Sequence, residues 1–355
     1  MDVALVYNVK KEETDVASSD GQPSSLTQTT HTQTQLSPSV DAFAEWDTIE
    51  TIHAVRDALS LRHSISLIEA DNNFFEKISK NRPSIVFNIA EGRYGVSREA
   101  QVPAILDMLN IPYSGSDPLT LGICLDKSRA KEILSYYSVP TPKFSVISSL
   151  SDLQSLFFPV PAMVKPLFEG SSKGIFNSSL VQTKEELFAQ VENILVKYEQ
   201  PALLEEFLPG REFTVAMLGN GDRLQVLPIV EIKFDSLPKG VNPIYSFEAK
   251  WIWDQSDNPL EIFECPARID SSLQKEIETV CRNAYNVLRC KDWSRIDVRL
   301  DKNGRANIIE INPLPGILPK IEDNSCYPKA ARAAGLGYNT MLNAVLDAAI
   351  ERYKL

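Results

Sequence analysis

Three short aliphatic runs, DVALVYN at 2–8, SISLIEA at 64–70 and SIVFNIA at 84–90, have the apolar density that strands buried on both faces require. Between and after them, residues 43–60, 72–80 and 98–109 space their apolar positions at the helical period. This alternation over the first ~110 residues predicts a parallel sheet with covering helices. Residues 10–40, rich in Ser, Thr, Gln, Asp and Glu, break the pattern and carry too little apolar surface to order alone. They read as a disordered surface insertion, or as a mobile lid over the end of the first strand, where open α/β sheets bind ligands.

Further on, Ser116 or Asp117 caps a short helix, Asp126-Lys127 opens a basic-faced one, and the Pro-rich stretch 139–144 breaks it and enters a strand. A helix at 151–157, the strand PAMVKPL, the loop FEGSSKGIFN and a helix at 183–198 lead to the strands ALLEEFL and REFTVAML. Strands near 224–233 and 247–253, a helix at 271–289, a hairpin, and helices at 328–334 and 338–353 complete the chain. The expected class is α/β, α+β when taken as a multidomain whole, divided into residues 1–125, 126–210 and 211–355.

The hairpin carries the strongest chemical signal. SRIDVRLDKNGRANIIEIN (294–312) reads as two strands joined at Asn303-Gly304, a dipeptide suited to a two-residue turn with φ > 0 at both positions. Counting back from that turn sets Asp297 opposite Glu310 and Arg295 opposite Asn312. Those four side chains then share one face, with Ile296, Val298, Leu300, Ile309 and Ile311 on the core face. Opposed carboxylates repel. A hard dication held by Asp297, Glu310 and the Asn312 amide oxygen would remove the penalty, and Mg²⁺ suits such a site when phosphates complete its shell. Charge pairing by Arg295 alone is the competing explanation.

Composition narrows the partners. Lys+Arg 36 against Asp+Glu 47 gives a net charge of −11 without a basic stripe, so neither nucleic acid nor an anionic membrane is expected as main partner. Five cysteines without CxxC spacing fit reduced thiols rather than a disulfide frame or zinc site. With three histidines, no basic-then-apolar leader and no run of spanning length, histidine metal chemistry is not expected and the cytoplasm is the predicted compartment.

The loop EGSSKG (169–174) offers backbone N–H groups to phosphate oxygens, although it lacks Walker A spacing. Lys165, inside the apolar AMVKP, would join Lys127 and Lys250 in neutralising a triphosphate beside the dication; singly, each reads as a solvated lysine. In LLEEFLPGREF, Glu205, Glu206 and Glu212 could hydrogen-bond an adenine edge and a ribose, though acids at strand ends are common on surfaces.

Taken in order, IPYSGSDPLTLGICLDKSRAK, VKPLFEGSSKGI, LLEEFLPGREFTVAML, FEAKW, WSRIDVRLDKNGRANIIEINPLPGI and SCYPKAARAAGLGY resemble the D-alanine–D-alanine ligases of the ATP-grasp superfamily. The resemblance runs from about residue 84 to 353. It implies a Rossmann-like parallel-sheet domain before central and C-terminal ATP-grasp subdomains, and a homodimer formed through the N-terminal domain. It also implies ATP and Mg²⁺ as cofactors, Mn²⁺ being able to substitute, and amino acids as substrates. Lys127 and Lys165 would contact the phosphates, Lys165 also lying near the adenine, and Lys250 would reach the γ-phosphate. Glu205, Glu206 and the Leu208 backbone would read the adenine, and Glu212 the ribose. Asp297, Glu310 and Asn312 would hold two Mg²⁺. Arg295, with backbone N–H groups near Gly316, would stabilise the oxyanion of a tetrahedral intermediate. Ser171 matches a serine of the closed-lid network, Ser325 one that receives the second substrate's carboxylate, and 313–327 the loop that closes the site.

The implied reaction phosphorylates one amino acid's carboxylate and lets the amine of another displace the phosphate, sheltered from water. Departures from the family's pattern fall on the amino-acid pockets. YNVKKEET stands where the family has a Gly-rich loop with an ammonium-binding glutamate, leaving Glu12 or Glu13 as candidates. Glu91-Gly92 replaces the common His-Gly and suits an ammonium or another polar group, Trp251 replaces a common tyrosine, and Pro313 a small polar residue. A D-alanine pair, with a role in peptidoglycan synthesis, and a different amino-acid or peptide pair both fit. A non-catalytic nucleotide-binding relative would be favoured by loss of Arg295 or the acid pair, and a carboxylase of the same fold would carry larger insertions.

Overall fold

The computed structural model describes residues 1–10, 45–253 and 260–355. Most of the polar tract, with Glu12 and Glu13, lies outside the described residues, as does the Trp251 side chain. Strands β1 (Asp2–Tyr7), β2 (Ser64–Glu69) and β3 (Ile85–Asn88) form a parallel sheet of order β2-β1-β3. The alternation of β1 sorts its side chains between two cores. Val3 and Leu5 pack with Ile52, Val55 and Leu59 of α1 (Ile49–Ser60). Ala4 and Val6 pack with α2 (Phe74–Asn81) and α3 (Gln101–Met108). Thr48 accepts from Thr51 N at 3.3 Å and α1 starts at Ile49; of the helix expected at 43–60, residues 45–48 are not helical and 43 and 44 lie outside the described residues.

Asp117, not Ser116, caps α4 (Pro118–Leu125), accepting from Thr120 N at 2.9 Å. Asp126 caps α5 (Lys127–Tyr136) through Ser128 N and Arg129 N. An antiparallel sheet follows, ordered β4-β7-β5-β6. It joins β4 (Phe144–Ile147), β5 (Ala162–Pro166), β6 (Leu180–Val181) and β7 (Ala202–Glu206), and packs on α6 (Leu150–Ser155) and α7 (Lys184–Lys197).

A larger antiparallel sheet runs β11-β10-β8-β12-β13, with β9 on β8. Its strands are β8 (Glu212–Leu218), β9 (Gln225–Val226), β10 (Val230–Ile232), β11 (Phe263–Glu264), β12 (Trp293–Leu300) and β13 (Ala306–Asn312). One face packs with α8 (Ser271–Val287) and α5. The other meets α9 (Cys326–Ala333) and α10 (Tyr338–Tyr353), whose Leu342 and Leu346 complete the core beneath Val3 and Leu5. Among the described residues no helix is long and apolar enough to cross a membrane.

Three expectations are corrected. The stretch 247–253 is not a strand: Glu248–Trp253 is a π-helical turn, begun where Ser246 accepts from Ala249 N and Lys250 N bonds Ser246 O. Buried Phe247 and Ala249 mimic a period of two. The strand expected at 224–233 is split into β9 and β10 around Pro228, which has no N–H to give the ladder. The hairpin turn holds three residues, not two: Asp301 pairs with Arg305 across it, and of Lys302, Asn303 and Gly304 only Gly304 has positive φ, 77°. Asp301 Oδ1 accepts from Asn303 N and Arg305 N, and this side-chain turn organises the longer loop. A bulge beside Asp297 then restores the register, so Asp297 still faces Glu310 and Arg295 faces Asn312. Its consequence is that Ile308, not Ile309, enters the core, and Ile309 lines the cavity described next.

Candidate active site

A cavity of ≈ 280 Å³ is walled by the two antiparallel sheets and by the loops of the parallel-sheet unit. Of the candidate residues within the described part of the chain, Glu91, Lys127, Lys165, Ser171, Glu205, Glu206, Leu208, Glu212, Lys250, Arg295, Asp297, Glu310, Asn312, Gly316 and Ser325 line it. They come from both sheets because β7 ends and β8 begins at one edge of it, while β12 and β13 supply the floor.

The floor is a charge lattice. Arg295 donates to both Asp297 oxygens, through Nε at 3.1 Å and Nη2 at 3.0 Å. Lys127 Nζ lies 2.9 Å from Glu310 Oε1 and also donates to the Glu169 carbonyl. Asn312 donates to Asp297 Oδ2 at 3.4 Å. In this arrangement cations, not repulsion, govern the opposed acids. Burial would raise the Glu310 carboxyl, but Lys127 outweighs it and holds it below its ordinary value.

Beside the floor, Glu205 is 2% exposed and lies between Lys131 and Lys165, one to each oxygen. Burial pushes its carboxyl up, yet the two lysines hold it at about 2. Glu212 meets Arg299 at 2.6 Å, and that guanidinium stacks on Phe207. Here burial prevails, and the Glu212 carboxyl is raised. Lys250 is lowered to about 8 by burial and then by Arg295.

The loop 169–174 is tied down from the first unit. Glu45 accepts from Gly170 N at 2.8 Å and is itself gripped by Arg98 at 2.7 Å, both side chains nearly buried. Ser171 and Ser172 take positive φ, 50° and 59°, which turns successive backbone amides in this loop. Near it, Asp47, Glu91 and Glu99 line an acidic end of the cavity. Burial raises Asp47 to about 7 and Glu99 to about 7, and burial, then Glu99 and Glu45, raises Glu91 well above the carboxylate range. Ser325 immediately precedes α9, and its hydroxyl turns to the preceding loop, donating to Gly316 O at 3.1 Å and accepting from Leu318 N at 3.2 Å.

Two cations at this site escape the sequence reading. Lys131 follows Lys127 by four residues, so both lie on one face of α5. Arg299 continues the alternation of Arg295 and Asp297 along β12. Both periodicities were legible. Glu45 and Arg98 had no such signal, being joined only by the tertiary fold.

A parallel-sheet unit followed by two antiparallel sheets that close on a lysine- and carboxylate-lined cleft defines an ATP-grasp protein. Residues 146–347 match the family model described as D-ala D-ala ligase C-terminus. An uncharacterized protein of Sinorhizobium fredii is 36% identical over 300 residues, 82% of this chain and 84% of its own length. The D-alanine–D-alanine ligase of Actinobacillus pleuropneumoniae is 32% identical over 299 residues, 83% of this chain and 90% of its length. A crystal structure of D-alanine–D-alanine ligase from Bacillus anthracis complexed with ATP superposes with TM-score 0.70 at 22% identity, covering 100% of this chain and 99% of that one. The chain belongs to the D-alanine–D-alanine ligase family of the ATP-grasp superfamily.

Proposed function

We propose that this protein is an ATP- and Mg²⁺-dependent carboxylate–amine ligase that joins two amino acids through an acyl phosphate. The observation that carries the reading is the Asp297–Glu310 cross-strand pair, set with Arg295 and Lys127 in the cavity that also holds Lys165 and Lys250. The donor set fits a hard cation. Asp297 and Glu310 are 17% and 21% exposed toward the cavity, Lys127 engages only Oε1 of Glu310, and Asn312 adds an amide oxygen. When bound there, Mg²⁺ supplies charge neutralisation and alignment of the nucleotide phosphates.

The protein's own groups then have distinct work. Lys127, Lys165 and Lys250 neutralise the phosphates, and Glu205, Glu206 and Glu212 border the nucleoside, with Leu208 as apolar wall. A carboxylate oxygen of the first substrate forms a bond to the γ-phosphorus as ADP leaves. The amine of the second then bonds to the acyl carbon, and phosphate departs with the carboxylate oxygen. Arg295 faces the oxyanion of the tetrahedral adduct that the amine forms in the second step, before phosphate leaves. Glu91, at the acidic end, suits the first substrate's ammonium, whose charge would favour its ionised form, while Ser325 and Gly316 border the second substrate and Ser171 the closing loop.

The test is product analysis by mass spectrometry after incubating the protein with MgATP and an amino-acid mixture. An amide-linked product with one ADP per bond is expected, and ATP consumption with no such product under any mixture overturns the reading. Sufficiency of D-alanine alone would identify the D-alanyl-D-alanine synthetic activity; indifference to it would assign another pair.

The Lys250 shift gives a pH signature. A lysine lowered to about 8 carries its charge below that pH and loses it above. kcat/KM for MgATP should therefore fall as pH rises through about 8. In Lys250→Arg, which stays charged, that limb should move to higher pH.

A further inference from the structure

The Lys131 side chain is 2% exposed and sits behind the cavity wall. Its Nζ lies 2.5 Å from Glu205 Oε1 and donates to Thr141 Oγ1 at 2.9 Å, which in turn donates to the Ile308 carbonyl at 2.8 Å. Lys165 pairs with the other oxygen, Oε2. One buried carboxylate therefore stands between two ammonium groups, only one of which, Lys165, reaches the cavity.

A buried lysine–glutamate pair left to itself has no net charge, so it attracts an anion weakly. Here that outcome is blocked by a third member. With Lys131 occupying Oε1, the triad carries a net single positive charge, and Lys165 keeps donors to spare for an anion in the cavity. The bond from Thr141 to the β13 backbone fixes Lys131 to the strand that also bears Glu310. We propose that Lys131 is a positioning residue for nucleotide binding: it holds one oxygen of Glu205 so that Lys165 remains a cation offered to the ATP phosphates. This rests on the nucleotide reading of the cavity.

The test measures MgATP affinity by calorimetry, without any amino acid, for the wild type, Lys131→Met and Lys131→Arg. Loss of Lys131 alone leaves a neutral Lys165–Glu205 pair, so affinity should fall about tenfold or more. Lys131→Arg keeps a cation on Glu205 Oε1, so its affinity should stay within a few-fold of wild type. A role confined to packing predicts the opposite order, since methionine matches the lysine stem in length while the guanidinium is bulkier. Should Lys131→Met fail to fold, Lys131→Gln, an uncharged donor to Glu205 and Thr141, still decides: affinity weakened about tenfold supports the proposal and near-wild-type affinity overturns it. Unchanged affinity in a folded Lys131→Met overturns this proposal alone. A wild-type chain that binds no MgATP overturns the nucleotide reading and this proposal with it.

Discussion

Arg295→Ala is expected to lower kcat/KM for amide formation by about 10²- to 10³-fold while MgATP affinity changes no more than a few-fold. The guanidinium is held by both Asp297 oxygens and lines the cavity, so its orientation is set before any substrate arrives. Burial opposes its charge, but Asp297 outweighs that and raises its pKa, so it stays cationic across the working range. A charge pre-aimed in this way acts most on the species that develops negative charge, which is the tetrahedral adduct rather than bound ATP. Steady-state kinetics beside calorimetric binding would separate the two effects. Because Asp297 loses its partner, a thermal melt belongs in the same experiment.

Glu310→Gln is expected to raise the Mg²⁺ concentration needed for half-maximal activity about tenfold or more, and to slow turnover at saturating metal. The amide preserves shape but removes the charge that both a dication and Lys127 use. It also leaves Lys127, 5% exposed, without its carboxylate partner. The measurement is an Mg²⁺ titration of ADP formation. A titration overlaying wild type would show that Glu310 serves only Lys127.

Much of this site can be read from the chain because its chemistry follows periodicity. Arg295, Asp297 and Glu310 alternate on paired strands, and their opposition needs only a hairpin of the right register. The register inferred from a two-residue turn is right at Asp297 through two compensating differences, a three-residue loop and a bulge. Ile309 exposes the difference, because only the bulge explains why it faces the cavity. The parallel sheet is legible for a similar reason: β1 and β3 are apolar on both faces, as strands sandwiched by helices must be. What stays hidden is long-range. That Lys131 meets Glu205 and that Glu45 clamps Gly170 depend on how separate units dock, and no local spacing encodes it. The turn at Glu248–Trp253 is hidden differently, because a serine cap there overrides a strand-like alternation.

The central claim, that a substrate carboxylate is phosphorylated on its own oxygen in this cavity, is tested most directly by an oxygen-18 transfer experiment. The protein is supplied with MgATP and amino acids labelled in their carboxylates, and the released phosphate is analysed by mass spectrometry. One labelled oxygen per phosphate is the predicted result, since the bond broken in the second step lies between the acyl carbon and that oxygen. Phosphate released without label, at a rate matching ATP consumption, would contradict it.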